Sequence, residues 1–383
     1  MIYLKAWLIL ISCWLGILNL SVTPFIFLLN TYNILLIITI FTIVSAFACT
    51  RILSFFVLFE ITIIPVLILI IGWGYQPERL KAAFYIFFYT LFGSLPLLAR
   101  IFFTLNSLGV WNLDYWTTFT IRVSNSREFV FLSTAFLIKL PIYYTHIWLP
   151  KAHVESPVTG SIILAGLILK LGGIGLFFLN YFVWKRGIIL FITTLRVLGG
   201  VVLGFLILRL TDLKVIIAYS SVVHMRMVVL TCLSGSYIGA IGALLIIVAH
   251  GLTSPGIFAG ANMIYERTHS RRRILNKGVM GEHPSITLIW FILLMINFGG
   301  PFSINLIREI LLINAVSSLN FVLLTLVGVM CFISACYNLI IYARLNQGVV
   351  KIKLTDVRFS SRELLILGRL IWPGFLIILR FDY

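Results

Sequence analysis

Twelve apolar runs take up almost the whole chain, and no water-soluble fold can absorb them. Separated by polar punctuation, they are Leu4–Leu20, Pro24–Cys49, Ile52–Ile71, Ala82–Leu105, Phe129–Trp148, Val158–Val183, Gly187–Leu208, Val215–Leu233, Ile238–Ala261, Ile286–Val316, Phe321–Ala343 and Leu364–Leu379. A helix needs roughly 20 apolar residues to cross a bilayer. The 383 residues are 61% hydrophobic and 11% charged, whereas a soluble domain is about a quarter charged. An ordinary globular enzyme, a disordered chain and a polar-faced solenoid are excluded. The pattern predicts an all-α polytopic membrane protein of about 12 transmembrane helices.

Two runs carry breaks. Lys139-Leu140-Pro141 interrupts the fifth, and Phe298-Gly299-Gly300-Pro301 the tenth. Such breaks are tolerated at membrane depth only where protein or water satisfies the freed backbone groups. Two broken helices in separate parts of a chain point to inverted repeats around a central ion path. The simpler reading of the fifth run is a plain proline kink. The expected organisation is one membrane domain, 1–383, with a first five-helix repeat over 24–183, a second over 187–343 and a C-terminal helix at 364–379.

The formal charge is +17, from 29 Lys and Arg against 12 Asp and Glu. No soluble basic domain is available to bind nucleic acid, so the excess is read as topology. With twelve spans both termini share a side. That side holds 7 Lys and Arg, while the opposite loops hold 15, including Arg267, Arg271, Arg272, Arg273 and Lys277. The positive-inside rule then places the termini outside and the Arg267–Lys277 loop inside. The first run lacks a small-residue cleavage site, so a retained first helix is expected rather than a signal peptide. No import presequence is expected either, which suits a bacterial inner-membrane protein or one made inside the organelle.

Ionisable residues lie within the runs: Glu60 in the third, Lys139 in the fifth, Lys170 in the sixth, His224 in the eighth, His250 in the ninth and Glu309 after the break in the tenth. A charge at the helix centre costs about 2.5–3.5 kcal/mol on the insertion scale, so such residues face the bundle interior and mark ion or proton paths. A buried Glu beside a buried Lys has two protonation states of similar energy, and histidine relays between them. The bland alternative is that some of the six only cap broken helices. Metal and nucleotide motifs are absent: there is no CxxC, HExxH or phosphate loop. Cys13, Cys49, Cys232, Cys331 and Cys336 read as small residues rather than ligands or disulfides.

Longer phrases carry a resemblance. One block holds Phe59-Glu60, Trp73-Gly74-Tyr75-Gln76-Pro77-Glu78-Arg79-Leu80 and Phe88-Tyr89-Thr90 to Leu95-Pro96-Leu97. Another is Ile138-Lys139-Leu140-Pro141 to Trp148-Leu149-Pro150-Lys151-Ala152-His153-Val154-Glu155-Ser156-Pro157. Leu169-Lys170-Leu171-Gly172-Gly173, Thr211-Asp212-Leu213-Lys214, Ala249-His250-Gly251-Leu252-Thr253-Ser254 and Tyr265-Glu266-Arg267-Thr268-His269-Ser270-Arg271 follow. From about Phe56 onward the chain strongly resembles the chain 4 family of mitochondrial NADH:ubiquinone oxidoreductase, respiratory complex I. The resemblance implies an antiporter-like, proton-translocating subunit of the membrane arm, in the mitochondrial inner membrane. Glu60 and Lys139 would form a coupled pair, Lys170 and His250 (with His224) a mid-membrane relay, and Glu309 the hand-on group. It implies no cofactor in this chain, since NADH, FMN, iron–sulfur clusters and ubiquinone belong to other subunits. The implied partners are the other membrane-arm subunits, neighbouring antiporter-like ones among them, and lipid.

Two departures stand out. The family carries its equivalent of Glu60 on a fifth helix, so about two N-terminal helices have no counterpart here. Arg100, Arg196, Arg226, Arg308 and Arg369 also lie in apolar runs, several where the family has a small residue. In several animal mitochondrial codes AGA and AGG mean Ser or Gly, and a standard reading writes Arg. These positions are therefore expected to be mistranslated Gly or Ser, an origin that Arg51, Arg273, Arg344 and Arg380 would share; the alternative is true arginines paired with lipid headgroups or neighbouring subunits. Competing readings are a Mrp-type cation/proton antiporter subunit, similar at the same six positions, and a structural scaffold, which has no use for buried charges.

Overall fold

The computed structural model describes residues 2–22, 29–108, 112, 126–179, 186–348 and 359–379. Pro24, Arg122, Lys185, Lys351, Lys353, Arg358 and Arg380 lie outside them. The described residues form helices and no strand, because in lipid each backbone group must find its partner within its own segment.

Each expected run appears as a helix or a pair of helices. Ile2–Val22 and Leu29–Ala48 open the chain. Ile52–Ile61 and Ile63–Trp73 are one rod kinked at Thr62, where Pro65 has no N–H to continue the ladder. Arg79–Leu108 and Ser126–Lys139 follow. Val158–Leu179 passes through a π-turn at Leu164–Ile168. Arg186–Arg209, Leu213–Leu233 and Tyr237–Thr268 come next. Pro284–Asn297 and Ile304–Ser317 are the two halves of the tenth run. Phe321–Asn346 and Ser361–Leu379 complete the chain. Eight of these helices, counting the kinked rod as one, are long and apolar enough to cross a membrane.

Both breaks are present. Ser126–Lys139 stops at the lysine, before Pro141, where the sequence pattern places the break. The chain turns and then forms a separate helix, Trp148–Glu155, which the apolar pattern alone does not reveal. The Trp148 indole N–H donates to the Ile138 carbonyl at 3.1 Å, satisfying one acceptor at the broken end. At the second break Gly299 takes φ +81°, which a glycine adopts without strain.

The helices sort into a buried centre and an outer ring. Val158–Leu179 is wholly buried, while Arg79–Asn106 presents Phe84, Phe88, Phe92 and Phe103 outward. Small residues let the central helices close: a Cβ on Gly166 would sit 3.0 Å from Pro255 Cγ, in helix Tyr237–Thr268. The last helix is tied to the centre by Arg267 and Glu363, 2.6 Å apart. Ser360 and Glu363 exchange hydrogen bonds at its start as a capping box.

Candidate functional site

The six sequence-selected residues fall into two neighbouring clusters. The first centres on Lys139, at the C-terminal end of its broken helix, where the negative end of the helix dipole favours a cation. Its ammonium donates to the Phe59 carbonyl at 2.6 Å and stands 3.0 Å above the Phe59 ring. That carbonyl also accepts from the Thr62 hydroxyl at 2.9 Å, at the kink of the third run. Glu60 follows Phe59, so the kink brings the carboxylate into electrostatic reach of Lys139 without a direct contact, and Ser94 hydrogen-bonds to it. An aromatic wall of Phe55, Phe59, Phe136 and Phe178, ring centres 5.5–6.4 Å apart, closes one side.

The second cluster is continuous. Lys170 follows the π-turn, and its ammonium donates to the Ala165 carbonyl there at 2.5 Å. It lies 2.8 Å from Nδ1 of His250, whose ring centre is 5.8 Å from that of His224. Nδ1 of His224 accepts from Arg308 Nη2 at 3.0 Å, and the other ring nitrogen meets the Tyr337 hydroxyl at 3.3 Å. Arg308 stands 3.8 Å from the Glu309 carboxylate. Glu309 packs against Gly299, where a Cβ would come 2.9 Å from its carboxyl carbon. The two clusters approach across Gly172, where an added Cβ would lie 3.1 Å from Lys139 Cβ. Two cations 2.8 Å apart repel by about 6 kcal/mol at an effective dielectric of 20, so charging Lys170 and His250 together is opposed. A charge arriving at one displaces the proton from the other.

Some participants escaped the sequence reading. Tyr337, Asn297 and Phe59 belong to the two clusters, and only Asn297, beside the second break, has a place that hints at it. His153, Glu155 and Lys214 are buried as well, with His153 in electrostatic reach of both Lys170 and Lys214. They sit in the quoted motif blocks but carry no apolar-run signal. Glu155, at the end of its short helix, has its carboxyl pushed above the usual range by burial, opposed mainly by Arg271. Tyr75, in the loop before Arg79, is exposed, and the Lys214 ammonium lies 4.7 Å from its ring centre.

This arrangement of broken helices and a buried Lys, His and Glu chain defines an antiporter-like membrane domain. The chain belongs to the NADH:quinone oxidoreductase/Mrp antiporter transmembrane family, whose model matches residues 49–334. Within it, the chain is 39% identical over 351 residues to NADH-ubiquinone oxidoreductase chain 4 of Ceratitis capitata, covering 90% of this chain and 78% of that relative. Its fold is shared with a chain of respiratory complex I from Thermus thermophilus, at TM-score 0.83 and 24% identity over 98% of this chain and 80% of the other. A chain of the Mrp complex from Dietzia shares it at TM-score 0.80 and 16% identity, covering 90% of this chain and 66% of the other.

Proposed function

We propose that this chain is a proton-translocating core subunit of respiratory complex I, in the mitochondrial inner membrane. It takes part in NADH:ubiquinone oxidoreduction without redox chemistry of its own. NADH, FMN, the iron–sulfur clusters and ubiquinone are held by other subunits. The termini face the intermembrane space, and neighbouring antiporter-like subunits adjoin the chain at the Glu60 and Glu309 ends.

The observation that carries this reading is the unbroken contact series from Lys170 through His250, His224 and Arg308 to Glu309. A scaffold gains nothing from burying it. The kinked rod holds Glu60 at the opposite end, beside Lys139. A change in the charge of Glu60 shifts the balance at Lys139, and the shift passes across Gly172 to Lys170. The test is Lys170→Met in the assembled complex in sealed vesicles. NADH oxidation coupled to proton uptake should fall several-fold while assembly persists. Unchanged proton yield would overturn the reading. The Mrp-type alternative predicts a chain that purifies apart from NADH-oxidising subunits.

A further inference from the structure

Lys139 has two partners within reach, and it sits on the uncharged one. Its ammonium donates to the Phe59 carbonyl at 2.6 Å and makes no direct contact with Glu60, the next residue. Oε1 of Glu60 is buried without a hydrogen-bond partner, while Ser94, on helix Arg79–Leu108, hydrogen-bonds to the same carboxylate. Ser94 tethers Glu60, so the long, flexible lysine is the member of the pair that can move. An apolar cavity adjoins them, lined in part by Phe55, Phe56, Phe59, Leu132, Phe136 and Phe178. Apolar cavities stay dry, so no water on that side competes for the ammonium.

A second donor shares the carbonyl. Thr62 is fully buried, and its hydroxyl donates to the Phe59 carbonyl at 2.9 Å. Hydroxyls bonded back to a carbonyl of their own helix are common, as at Thr39 and Thr42. Thr62 differs because its acceptor also holds a buried ammonium. A carbonyl oxygen has two lone pairs, and these two donors take both. In a straight helix the Phe59 carbonyl would accept from the N–H of Ile63. Here the rod kinks at Thr62, between Ile52–Ile61 and Ile63–Trp73, and the carbonyl meets Lys139 on another helix. The second cluster repeats the device. Lys170 donates to the Ala165 carbonyl at 2.5 Å, inside the π-turn. Both lysines thus rest on a carbonyl at a helix irregularity.

We propose that Thr62 is a positioning residue whose hydroxyl, with the Phe59 carbonyl, forms a dock for the Lys139 ammonium away from Glu60. This rests on the proton-translocating reading above. When the ammonium moves from the carbonyl to the Glu60 carboxylate, the Thr62 hydroxyl stays behind and keeps the carbonyl paired. A buried acceptor left unpaired is costly. Without the hydroxyl, the departure of Lys139 would orphan that acceptor, and the lysine would be held where it is. Thr62 therefore brings the two positions of Lys139 closer in energy.

The test compares Thr62→Val, Thr62→Ser and Lys170→Met, each in the assembled complex in sealed vesicles, reading protons moved per NADH oxidised. A density map of the Thr62→Val complex accompanies it. Thr62→Val should lower the yield about threefold, the worth of one modest hydrogen bond in an equilibrium. Thr62→Ser, which keeps the hydroxyl, should restore most of it. The map should show the kink retained and Lys139 on the Phe59 carbonyl. An unchanged yield in Thr62→Val, while Lys170→Met fails to pump, would overturn the dock and leave the relay standing. A lowered yield with a straightened rod would overturn it too, because the hydroxyl would then act on the backbone alone. If Lys170→Met also pumps fully, the underlying reading falls and the dock with it. Where Thr62→Val does not assemble, Thr62→Ala removes the same hydroxyl and decides in its place.

Discussion

Arg196 is 1% exposed, and none of its three guanidinium nitrogens has a hydrogen-bond partner. Its neighbours are Cys232 and a second buried arginine, Arg226. Even the lenient scale assigns such a group about 2.5–3.5 kcal/mol, and the like charge adds to it. Arg226 fares little better, with one 3.5 Å bond to the Pro141 carbonyl and both Nη atoms unpartnered. Arg308 differs: it bonds His224 and stands beside Glu309, as a genuine arginine would. That contact has a chemical consequence. With Arg308 donating to Nδ1, a second positive charge on His224 is opposed, so the relay there passes through a neutral ring. Peptide sequencing of the native chain by mass spectrometry should read glycine or serine at 196. Arginine there would end the codon explanation for that site, and the same spectra decide 226 and 308.

The breaks act at the scale of the element. At Gly299 the backbone has φ +81°, and an added methyl would lie 2.9 Å from the Glu309 carboxyl carbon. Gly299→Ala therefore meets two penalties: a left-handed backbone costing about 1–2 kcal/mol for an L-residue, and displacement of Glu309. Proton yield should fall with assembly retained. Gly328→Ala, where nothing lies within 4 Å of the new methyl, should leave both unchanged. A silent Gly299→Ala would show that the break does not position Glu309. This break was legible because Gly-Gly-Pro inside an apolar run allows little else. The first break was legible at Pro141, but helix Trp148–Glu155 was not. Its short stretch mixes Lys151, His153 and Glu155 with apolar residues, and only tertiary burial makes His153 and Glu155 interior. The kink at Thr62 escaped for a related reason, since Pro65 lies three residues past the point where the rod bends. The six relay residues were legible because charge is rare in apolar runs. Their division into two clusters was implied by the resemblance alone and not by the apolar pattern, because it depends on which helices touch.

At the scale of the whole molecule, direction is set by which face meets which compartment. The loop after helix Tyr237–Thr268 folds back across the start of helix Leu213–Leu233. Leu213 N–H donates to the Arg271 carbonyl at 2.9 Å, and Arg273 N–H to the Thr211 carbonyl at 2.9 Å. This pins the basic loop, Tyr75 and Lys214 to one face. Arg272 is exposed on it. In the proposed topology, with 15 basic residues on this side against 7 on the other, this face is the negative, matrix side. Removing Arg273 and Arg344 as miscoded leaves Arg267, Arg271, Arg272 and Lys277 in place, so the assignment does not depend on them. Trypsin added to inverted inner-membrane vesicles should cut at Arg272, and trypsin added to right-side-out vesicles should not. The loop is short and tied down, so cleavage is expected to be slow; an antibody to residues 269–277 gives the same sidedness without it. Access from the intermembrane-space side would reverse the topology.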